Sequence, residues 1–490
     1  MAYKGLRDWL EAIEKQGELK RISGADWKLE MASIAEIVYK EGKGPNPVLL
    51  FDDIPGYPKG FRTLFGQLSS PWSITTSLGL PADQLDRNDI LRNWRQKVSE
   101  LQMTPPKMVK TSPVLANSDT GDKVDLFKFP SPRFHEMDSP NRYIGAGAFI
   151  QKDPDSGYVN VGTYRSMIVD CNRHTVHIVE GKQGSTIMHE KYFARGKAMP
   201  IAYAIGVDPA LYLVSGFIPL KWGTSEYDYA GAIKGEPIEV FEGPYTGLPL
   251  PANAEIIIEG ECHAGEEADE GPFGEWHGYY ANLGLTAVPE PVIRVKAIHY
   301  RNDPILTCCQ RTAPPQEDSL IASILTSEKI WSGLEGLGIP GIKSVWCHEA
   351  GHGRLFNVVS IKQLYAGHSR QVGVVACQYP LAGRFTIVVD DDVDPSNLQD
   401  VTWALSTRTQ PERSVQILPY CSSGSDDPAI PQAEKMKYRV PPKPLYSSRI
   451  LIDACQPFEH KAEWYPAARI STELRVEILK KWQSVLGDLL

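Results

Sequence analysis

Residues 269–279 read Asp-Glu-Gly-Pro-Phe-Gly-Glu-Trp-His-Gly-Tyr, and they are the most informative stretch of this 490-residue chain. Two carboxylates, Glu270 and Glu275, flank a Gly-Pro-Phe-Gly turn. Carboxylates that share one site can acquire separated pKa values, so that one is ionised and the other protonated at neutral pH. Such a pair suits proton transfer, but a tight turn with two exposed acids would have the same composition.

The sequence on both sides of this turn predicts β-strands. Residues 292–300 alternate between apolar side chains and Arg or Lys, which is typical of a half-buried strand. We predict further strands over residues 144–151, 165–170 and 255–259. This density of strands favours a barrel or closed sheet in a central domain over residues 121–320.

The first 120 residues are predicted to form an N-terminal α/β domain. Leu6, Trp9, Leu10 and Ile13 recur at helical spacing and Gly17 follows, which predicts an amphipathic helix with a glycine C-cap. Residues 47–51 predict a short buried strand, and residues 89–100 a helix. Proline-marked connections near residues 103–108 and 128–133 place the domain boundary near residue 120.

Residues 321–490 are predicted to form a C-terminal α/β domain, so the predicted fold is α/β (α+β) with three domains. The run Phe-Thr-Ile-Val-Val at 385–389 is typical of a strand buried on both faces. The chain ends in a predicted helix with Ser471 as N-cap and an apolar stripe that includes Leu474, Ile478, Trp482 and Val485. A terminal helix with this stripe is expected to dock on a partner subunit.

Composition and charge exclude several functional classes. The formal net charge of −9 argues against a dedicated nucleic-acid surface. The start of the chain lacks the apolar core of a signal peptide, and no stretch approaches 18 uninterrupted apolar residues, so we expect a cytoplasmic protein that does not bind membranes. The eight cysteines form no CxxC pair, which favours buried, reduced thiols.

Two other patterns are weaker. Gly-Leu-Gly-Ile-Pro-Gly at 336–341 fits GxGxxG, but its proline and the apolar residues after it predict a turn entering a strand instead of a dinucleotide site. Asp-Asp-Asp-Val-Asp at 390–394 resembles the start of a calcium loop but lacks the required glycine and glutamate, so we expect a solvated turn.

Several motifs follow one another in an order that resembles the UbiD family of decarboxylases over nearly the whole chain. Residues 160–165, Asn-Val-Gly-Thr-Tyr-Arg, are similar to the family's Asn-x-x-x-x-Arg element, and residues 270–275 resemble its catalytic signature. The others are Ile-Met-His at 187–189, Gly-Thr-Ser-Glu-Tyr-Asp-Tyr-Ala-Gly-Ala at 223–232, Gln-Leu-Tyr-Ala-Gly-His at 363–368, and Val-Asp-Asp-Asp-Val-Asp at 389–394 with Trp-Ala-Leu-Ser-Thr-Arg at 403–408. The resemblance implies a split β-barrel as the central domain.

The resemblance also implies a prenylated FMN cofactor whose phosphate is tied down by a divalent metal. The implied metal ligands are Asn160, His189 and Glu226, and their donor types suit Mn2+ or Mg2+ better than zinc. A K+ site near Ser215 and Glu226 is implied as well. The cofactor-binding residues expected besides the metal ligands are Thr163, Tyr164, Arg165, Met188, Ser215 and Gly216.

The same resemblance assigns the catalytic roles. Arg165 would bind the substrate carboxylate, because a planar guanidinium can pair with it bidentately. Glu270 would orient Arg165 as an ionised partner, and Glu275 would move the proton. The expected reaction is a potentially reversible, non-oxidative decarboxylation of an aromatic, heteroaromatic or α,β-unsaturated carboxylic acid. The expected partners are a flavin prenyltransferase that supplies the cofactor, and further copies of the chain in a homodimer or homohexamer.

The substrate and two other functional classes stay open. Residues 214–226 differ from those of cinnamate-type family members, which disfavours cinnamic acids and leaves phenolic and heteroaromatic acids, an aryl-CoA thioester or a polyprenyl hydroxybenzoate. Trp222, Tyr227 and Ile321 either line the site or belong to the core. The other classes are a non-catalytic flavin-binding scaffold and a metal-dependent hydrolase, whose ligands would be His263, Glu270, Glu275 and His277.

Overall fold

The computed structural model describes residues 3–280, 287–379, 383–437 and 445–486. Within these ranges the longer α-helices are Leu6–Lys15, Glu30–Glu41, Pro71–Leu78, Arg87–Glu100, Pro209–Phe217, Glu226–Lys234, Ser319–Gly336, His368–Ala376, Leu398–Arg408 and Thr472–Lys481. The shorter ones are Gln183–Thr186, Pro411–Ser414, Gln432–Lys437 and Gln483–Leu486. None of these described helices is long and apolar enough to cross a membrane.

The opening helix packs on a sheet at the N-terminal end of the molecule. As predicted, Leu6–Lys15 buries Leu6, Trp9, Leu10 and Ile13, and these side chains share one core cluster with the sheet. In the described part of the chain this sheet has four strands, in the order Leu19–Ser23, Val48–Asp52, Arg62–Phe65 and Ile305–Thr307. The last strand comes from far beyond residue 120, so the chain returns to this sheet after completing the central one.

The central sheet is antiparallel and, among the described residues, has seven strands. Their order is Arg173–Thr175, Val288–Tyr300, Ile256–Glu270, Met199–Ile205, Gly147–Lys152 and Val159–Gly162, with Asn117–Thr120 also paired to Val288–Tyr300. The predicted strands at 255–259 and 292–300 are confirmed as parts of much longer strands. No ladder joins the two edge strands within the described ranges, but single bridges link the segment that follows Val159–Gly162 to the edge at Arg173–Thr175.

The prediction for residues 165–170 was largely wrong. Only Ser166–Met167 is a strand there, and it pairs with Tyr143–Ile144 outside the large sheet. Single bridges connect Arg165 with His177 and Ile168 with His174. This segment therefore runs antiparallel to residues 174–177 through isolated bridges and not through a continuous ladder. A small three-strand group, counted in the same ranges, consists of Lys107–Met108, Glu239–Glu242 and Pro249–Pro251.

The C-terminal sheet has the buried central strand that the sequence predicts. Its described strands lie in the order Ile342–Cys347, Phe356–Ile361, Phe385–Asp390, Tyr446–Ala454 and Val415–Ser422, with the middle three parallel. Val388 packs into the main core cluster, whereas Ile387 and Val389 pack into a separate one on the other face. Successive side chains of this strand point to opposite faces of the sheet, so both faces are packed against other parts of the protein.

The two weak motifs have structural roles. Residues 337–341 form the turn between Ser319–Gly336 and the strand Ile342–Cys347, as predicted. In the acidic turn at 390–394, Asp392 receives two hydrogen bonds from Arg408, at 2.8 and 2.7 Å, and Asp390 accepts one from Gln363 at 2.8 Å. The turn therefore ties the helix Leu398–Arg408 to the sheet, while Asp391, Asp392 and Asp394 stay exposed as expected of a solvated turn.

Candidate active site

Arg165, Glu270 and Glu275 form one buried cluster. The Arg165 side chain is 12% exposed, its Nη1 donates to Oε1 of Glu275 at 2.8 Å, and its Nε donates to Oε1 of Glu270. The Glu270 side chain is fully buried, and its second oxygen accepts a hydrogen bond from Oγ1 of Thr175 at 2.5 Å. The structure thus places the three predicted residues in direct contact.

The strand and turn that carry the two glutamates explain this contact. Glu270 is the last residue of Ile256–Glu270, and Gly271, with a φ of 101°, starts the turn in a conformation that favours glycine. The Phe273 ring lies 4.4 Å from that of Tyr143 and 4.7 Å from the guanidinium carbon of Arg165. The turn is therefore held by aromatic packing, and Glu275 at its far end reaches the same guanidinium as Glu270.

Charge decides the protonation of this cluster. Burial lowers the pKa of Arg165, but Glu270 and Glu275 outweigh it and raise that pKa above its ordinary value, so Arg165 stays charged. Burial raises the pKa of the Glu275 carboxyl, but the charges of Arg165 and His177 outweigh it and hold the pKa below its ordinary value. Glu275 is therefore ionised while it is bonded to Arg165.

Sequence reasoning missed the residues that surround these three. Thr175 binds Glu270, and the His177 N–H donates to the backbone oxygen of Arg165 at 3.0 Å. The rings of Tyr143 and Phe273 pack against each other beside Arg165, as described above. Thr175 and His177 are two residues apart in an extended segment, so their side chains lie on the same face.

Asn160 and Glu226 belong to a second buried group, in which Glu226 contacts the residue next to Asn160. Both are under a tenth exposed, and Oε2 of Glu226 accepts a hydrogen bond from the Val161 N–H at 2.7 Å. Burial raises the pKa of Glu226 to about 7. A buried carboxylate beside an amide side chain is a pair of oxygen donors whose charge a hard divalent cation would offset.

His189 is placed differently from the other two predicted metal ligands. It is exposed, in a π-helical turn over Ile187–Tyr192, a kind of turn that is frequent at functional sites. The preceding residue, Met188, is buried in the core. Among the described residues no hydrogen bond joins His189 to Asn160 or Glu226.

Four more residues predicted to bind the cofactor are Thr163, Tyr164, Ser215 and Gly216. Oγ1 of Thr163 lies 2.8 Å from Oγ of Ser215, and the Thr163 N–H donates to the Ser215 backbone oxygen at 3.0 Å. A side chain on Gly216 would approach Thr163 to 3.5 Å. Burial raises the pKa of Tyr164 to about 12, and the charge of Glu226 contributes. Residues 160–165 thus extend from the Asn160–Glu226 pair to the Arg165 cluster.

The other candidates fall outside these two groups. Tyr227 and Ile321 belong to the main core cluster, while Trp222 is 46% exposed and packs 5.3 Å from the Tyr158 ring. His263 pairs with Glu261 at 2.9 Å, not with Glu270 or Glu275. The proposed hydrolase ligands are therefore not brought together, because Glu270 and Glu275 contact Arg165 whereas His263 contacts Glu261.

The catalytic turn also contacts the C-terminal part of the chain. Nε1 of Trp276 donates to Asp426 at 2.7 Å, and its ring lies 5.4 Å from that of His352. His277 is 4% exposed, and burial lowers its pKa. The residues after Glu275 therefore form a junction between the central and C-terminal sheets.

Three family models match the chain. They describe the N-terminal domain, the Rift-related domain and the C-terminal domain of 3-octaprenyl-4-hydroxybenzoate carboxy-lyase, named UbiD, and they match residues 10–91, 107–314 and 319–454. Together they cover most of the chain, including every residue of both buried groups.

Curated relatives and solved structures agree with these matches. The chain is 30% identical over 478 residues to a phenolic acid decarboxylase of Streptomyces sp. (strain D7), with 93% of each chain covered. It is 32% identical over 428 residues to a pyrrole-2-carboxylic acid decarboxylase of Pseudomonas aeruginosa, with 83% of each covered. An evolved dimeric form of the UbiD-class enzyme HmfF from Pelotomaculum thermopropionicum, solved with prFMN, has a TM-score of 0.80 at 26% identity, with 96% of this chain and 98% of that one covered.

Proposed function

The chain belongs to the UbiD family of carboxy-lyases, and we propose that it decarboxylates an aromatic or heteroaromatic carboxylic acid with prenylated FMN. The observation that carries this proposal is the contact of one buried guanidinium, that of Arg165, with both Glu270 and Glu275. The relatives that act on phenolic acids and on pyrrole-2-carboxylic acid support the substrate class. The relative solved with prFMN supports the cofactor.

Arg165 binds the substrate carboxylate in this proposal. Its guanidinium is permanently charged and is held on one side by Glu270, whose remaining oxygen is fixed by Thr175. This leaves the Nη1 edge, now bonded to Glu275, as the face that a substrate carboxylate can take. A guanidinium fixed in this way presents paired N–H donors at little cost in side-chain entropy.

Glu275 supplies the proton that replaces CO2 on the substrate carbon. Its carboxylate is ionised while it is bonded to Arg165, so it must take up a proton when the substrate displaces it. Burial favours that protonation, because it disfavours the charged form of a carboxyl group. Glu275 then acts as a general acid.

The prenylated flavin, when bound, supplies the electrophilic centre that accepts electrons as CO2 leaves. Asn160 and Glu226, with His189 as third ligand, would hold a Mn2+ or Mg2+ ion at its phosphate, and Ser215 with Glu226 would hold K+. Arg165 follows Asn160 by five residues, a separation of at most about 18 Å in extended chain. The two groups therefore lie close enough along the chain for one cofactor to contact both, and a flavin prenyltransferase would supply that cofactor.

Co-expression with a flavin prenyltransferase tests this function. The purified protein should carry a modified flavin by absorbance and mass spectrometry, and should release CO2 from at least one acid in a panel of hydroxybenzoic, pyrrole, furan and cinnamic acids. Protein made without the prenyltransferase should be folded and inactive. Full activity without the modified flavin would overturn the cofactor assignment, and a flavin-loaded protein inactive on every acid would favour the scaffold interpretation.

A further inference from the structure

His177 and Glu290 form an ion pair at the edge of the active-site cluster. Nδ1 of His177 lies 2.7 Å from Oε1 of Glu290, and the two side chains are 19% and 14% exposed. The pairing of Thr175 with Val292 and the hydrogen bond from Val176 N–H to the Pro291 oxygen place His177 opposite Glu290. This register makes the pair a fixed part of the sheet.

The pair faces the Arg165 cluster. Side chains two residues apart in an extended segment point to the same face, so His177 shares its face with Thr175, which binds Glu270. The backbone N–H of His177 donates to the backbone oxygen of Arg165 at 3.0 Å. His177 is thereby the direct cross-strand neighbour of Arg165, the residue that Glu275 binds.

The charged groups that face His177 are Arg165, Glu270, Glu275 and Glu290. Burial and Arg165 lower its pKa, but Glu290 and Glu270 outweigh them and raise it above the ordinary value. The charge of His177 in turn helps to lower the pKa of Glu275. Among the described residues Nδ1 has the Glu290 partner, and no hydrogen bond occupies Nε2.

We infer that His177, oriented by Glu290, supplies the proton that Glu275 takes up in each turnover. This inference rests on the proposed function. When the substrate displaces Glu275 from Arg165, the Glu275 carboxylate loses the charge that holds its pKa down. A proton then moves from Nε2 of the His177 imidazolium to that carboxylate, while Nδ1–H stays bonded to Glu290. The neutral imidazole takes its next proton from water, so each turnover consumes one solvent proton.

Steady-state kinetics on the flavin-loaded enzyme test the relay. His177→Gln should lower kcat about 10- to 100-fold, below the range typical for losing the general acid itself, with little change in KM. Glu290→Gln should move the alkaline limb of the kcat–pH profile to lower pH, because His177 loses the carboxylate that keeps it protonated. Added imidazole should restore part of the activity of His177→Gly. Unchanged kcat and pH profile in both Gln variants would overturn the inference.

The His263–Glu261 pair is a matched control, since it has the same two residue types at 2.9 Å but lies outside the cluster. His263→Gln and Glu261→Gln should leave kcat and the pH profile unchanged. Equal losses in these variants and in His177→Gln would mean that the effect is structural and would also overturn the relay.

A titration of labelled histidine by NMR needs no turnover and separates this inference from the proposed function. The His177 signal, assigned by its loss in His177→Gln, should titrate at lower pH in both Glu290→Gln and Glu275→Gln. If Glu275→Gln leaves that titration unchanged, the inference fails even in an active enzyme. If the wild type releases no CO2 from any acid but the coupling is present, the decarboxylase proposal alone fails.

Discussion

The Glu275 carboxylate lies 2.8 Å from Nη1 of Arg165, so the proposed proton donor is bonded to the proposed substrate ligand. A substrate carboxylate must compete with Glu275 for that guanidinium. Displacement removes the charge that holds the pKa of Glu275 down, whereas the burial that raises this pKa remains. Substrate binding therefore converts Glu275 from a carboxylate into an acid.

Glu275→Gln should keep the shape of the side chain and abolish proton delivery. Turnover is expected to fall roughly 100- to 10,000-fold, which is the usual contribution of a general acid, with flavin occupancy and melting temperature near those of the wild type. Asp269→Asn changes an exposed carboxylate just before the turn and should leave turnover unchanged. Steady-state CO2 release at matched flavin content is the measurement, and near-normal turnover of Glu275→Gln would assign the proton to another group.

Arg165→Met should destabilise the fold as well as abolish substrate binding. The Glu270 side chain is fully buried, and removing its cation leaves an uncompensated buried charge, which typically costs about 3–5 kcal/mol. Adding Glu270→Gln should recover much of that loss in the free energy of unfolding. Arg294→Met breaks an ion pair that is 55% exposed on the arginine side and should cost no more than about 1 kcal/mol. A small loss for Arg165→Met, equal to that control, would contradict the buried-charge argument.

The sequence correctly predicted the elements whose buried side chains follow a local apolar pattern. The opening helix and the strand around Val388 are examples, because their spacing alone determines which side chains are covered. The strand at 165–170 was mispredicted because a tertiary contact, Arg165 with two glutamates more than a hundred positions later, overrides local propensity. His177 was missed for the same reason, since its partner Glu290 is far along the chain.

Asn160→Ala and Glu226→Gln should each lose bound metal. Either change removes an oxygen donor from the buried pair, and a hard cation binds a neutral amide less strongly than a carboxylate. Metal content by elemental analysis and flavin content by absorbance should fall together, and a chelator should have the same effect on the wild type. The control is Glu236→Gln, because Glu236 is exposed and lies just after the helix Glu226–Lys234 that begins with Glu226. Full metal content in Glu226→Gln would remove this residue from the ligand set.

Exposed apolar side chains near the C-terminal end of the described chain predict self-association. The predicted terminal helix is divided into Thr472–Lys481 and Gln483–Leu486. Val476, Trp482 and Val485 in this segment are 60%, 49% and 51% exposed, and exposed apolar side chains commonly mark an interface. Trp482→Asp with Val485→Asp should shift the mass measured by light scattering from a dimer or larger assembly towards the monomer. Lys480→Asp, an exposed polar position in the same segment, should not. A monomeric wild type at micromolar concentration would contradict this prediction.

Glu317 should make stability depend on pH. It is 4% exposed, and burial raises its pKa from the ordinary 4.5 to about 8. Between these two values the folded state keeps a proton that the unfolded state releases, so the free energy of unfolding falls as pH rises through this window. Above the folded pKa the loss is complete and constant.

Glu317→Gln removes the titrating group and should flatten this dependence. The amide oxygen can still accept one of the backbone N–H groups of Gly66 and Gln310, which now lie 2.8 and 3.1 Å from the carboxylate. Urea unfolding at several pH values from 5 to 9 should show the variant losing less stability than the wild type, while exposed Glu412→Gln follows the wild type. The difference between wild type and variant isolates Glu317, because the histidines that titrate in the same range are common to both. Parallel curves for Glu317→Gln and the wild type would show that Glu317 is already ionised in the folded protein at pH 5.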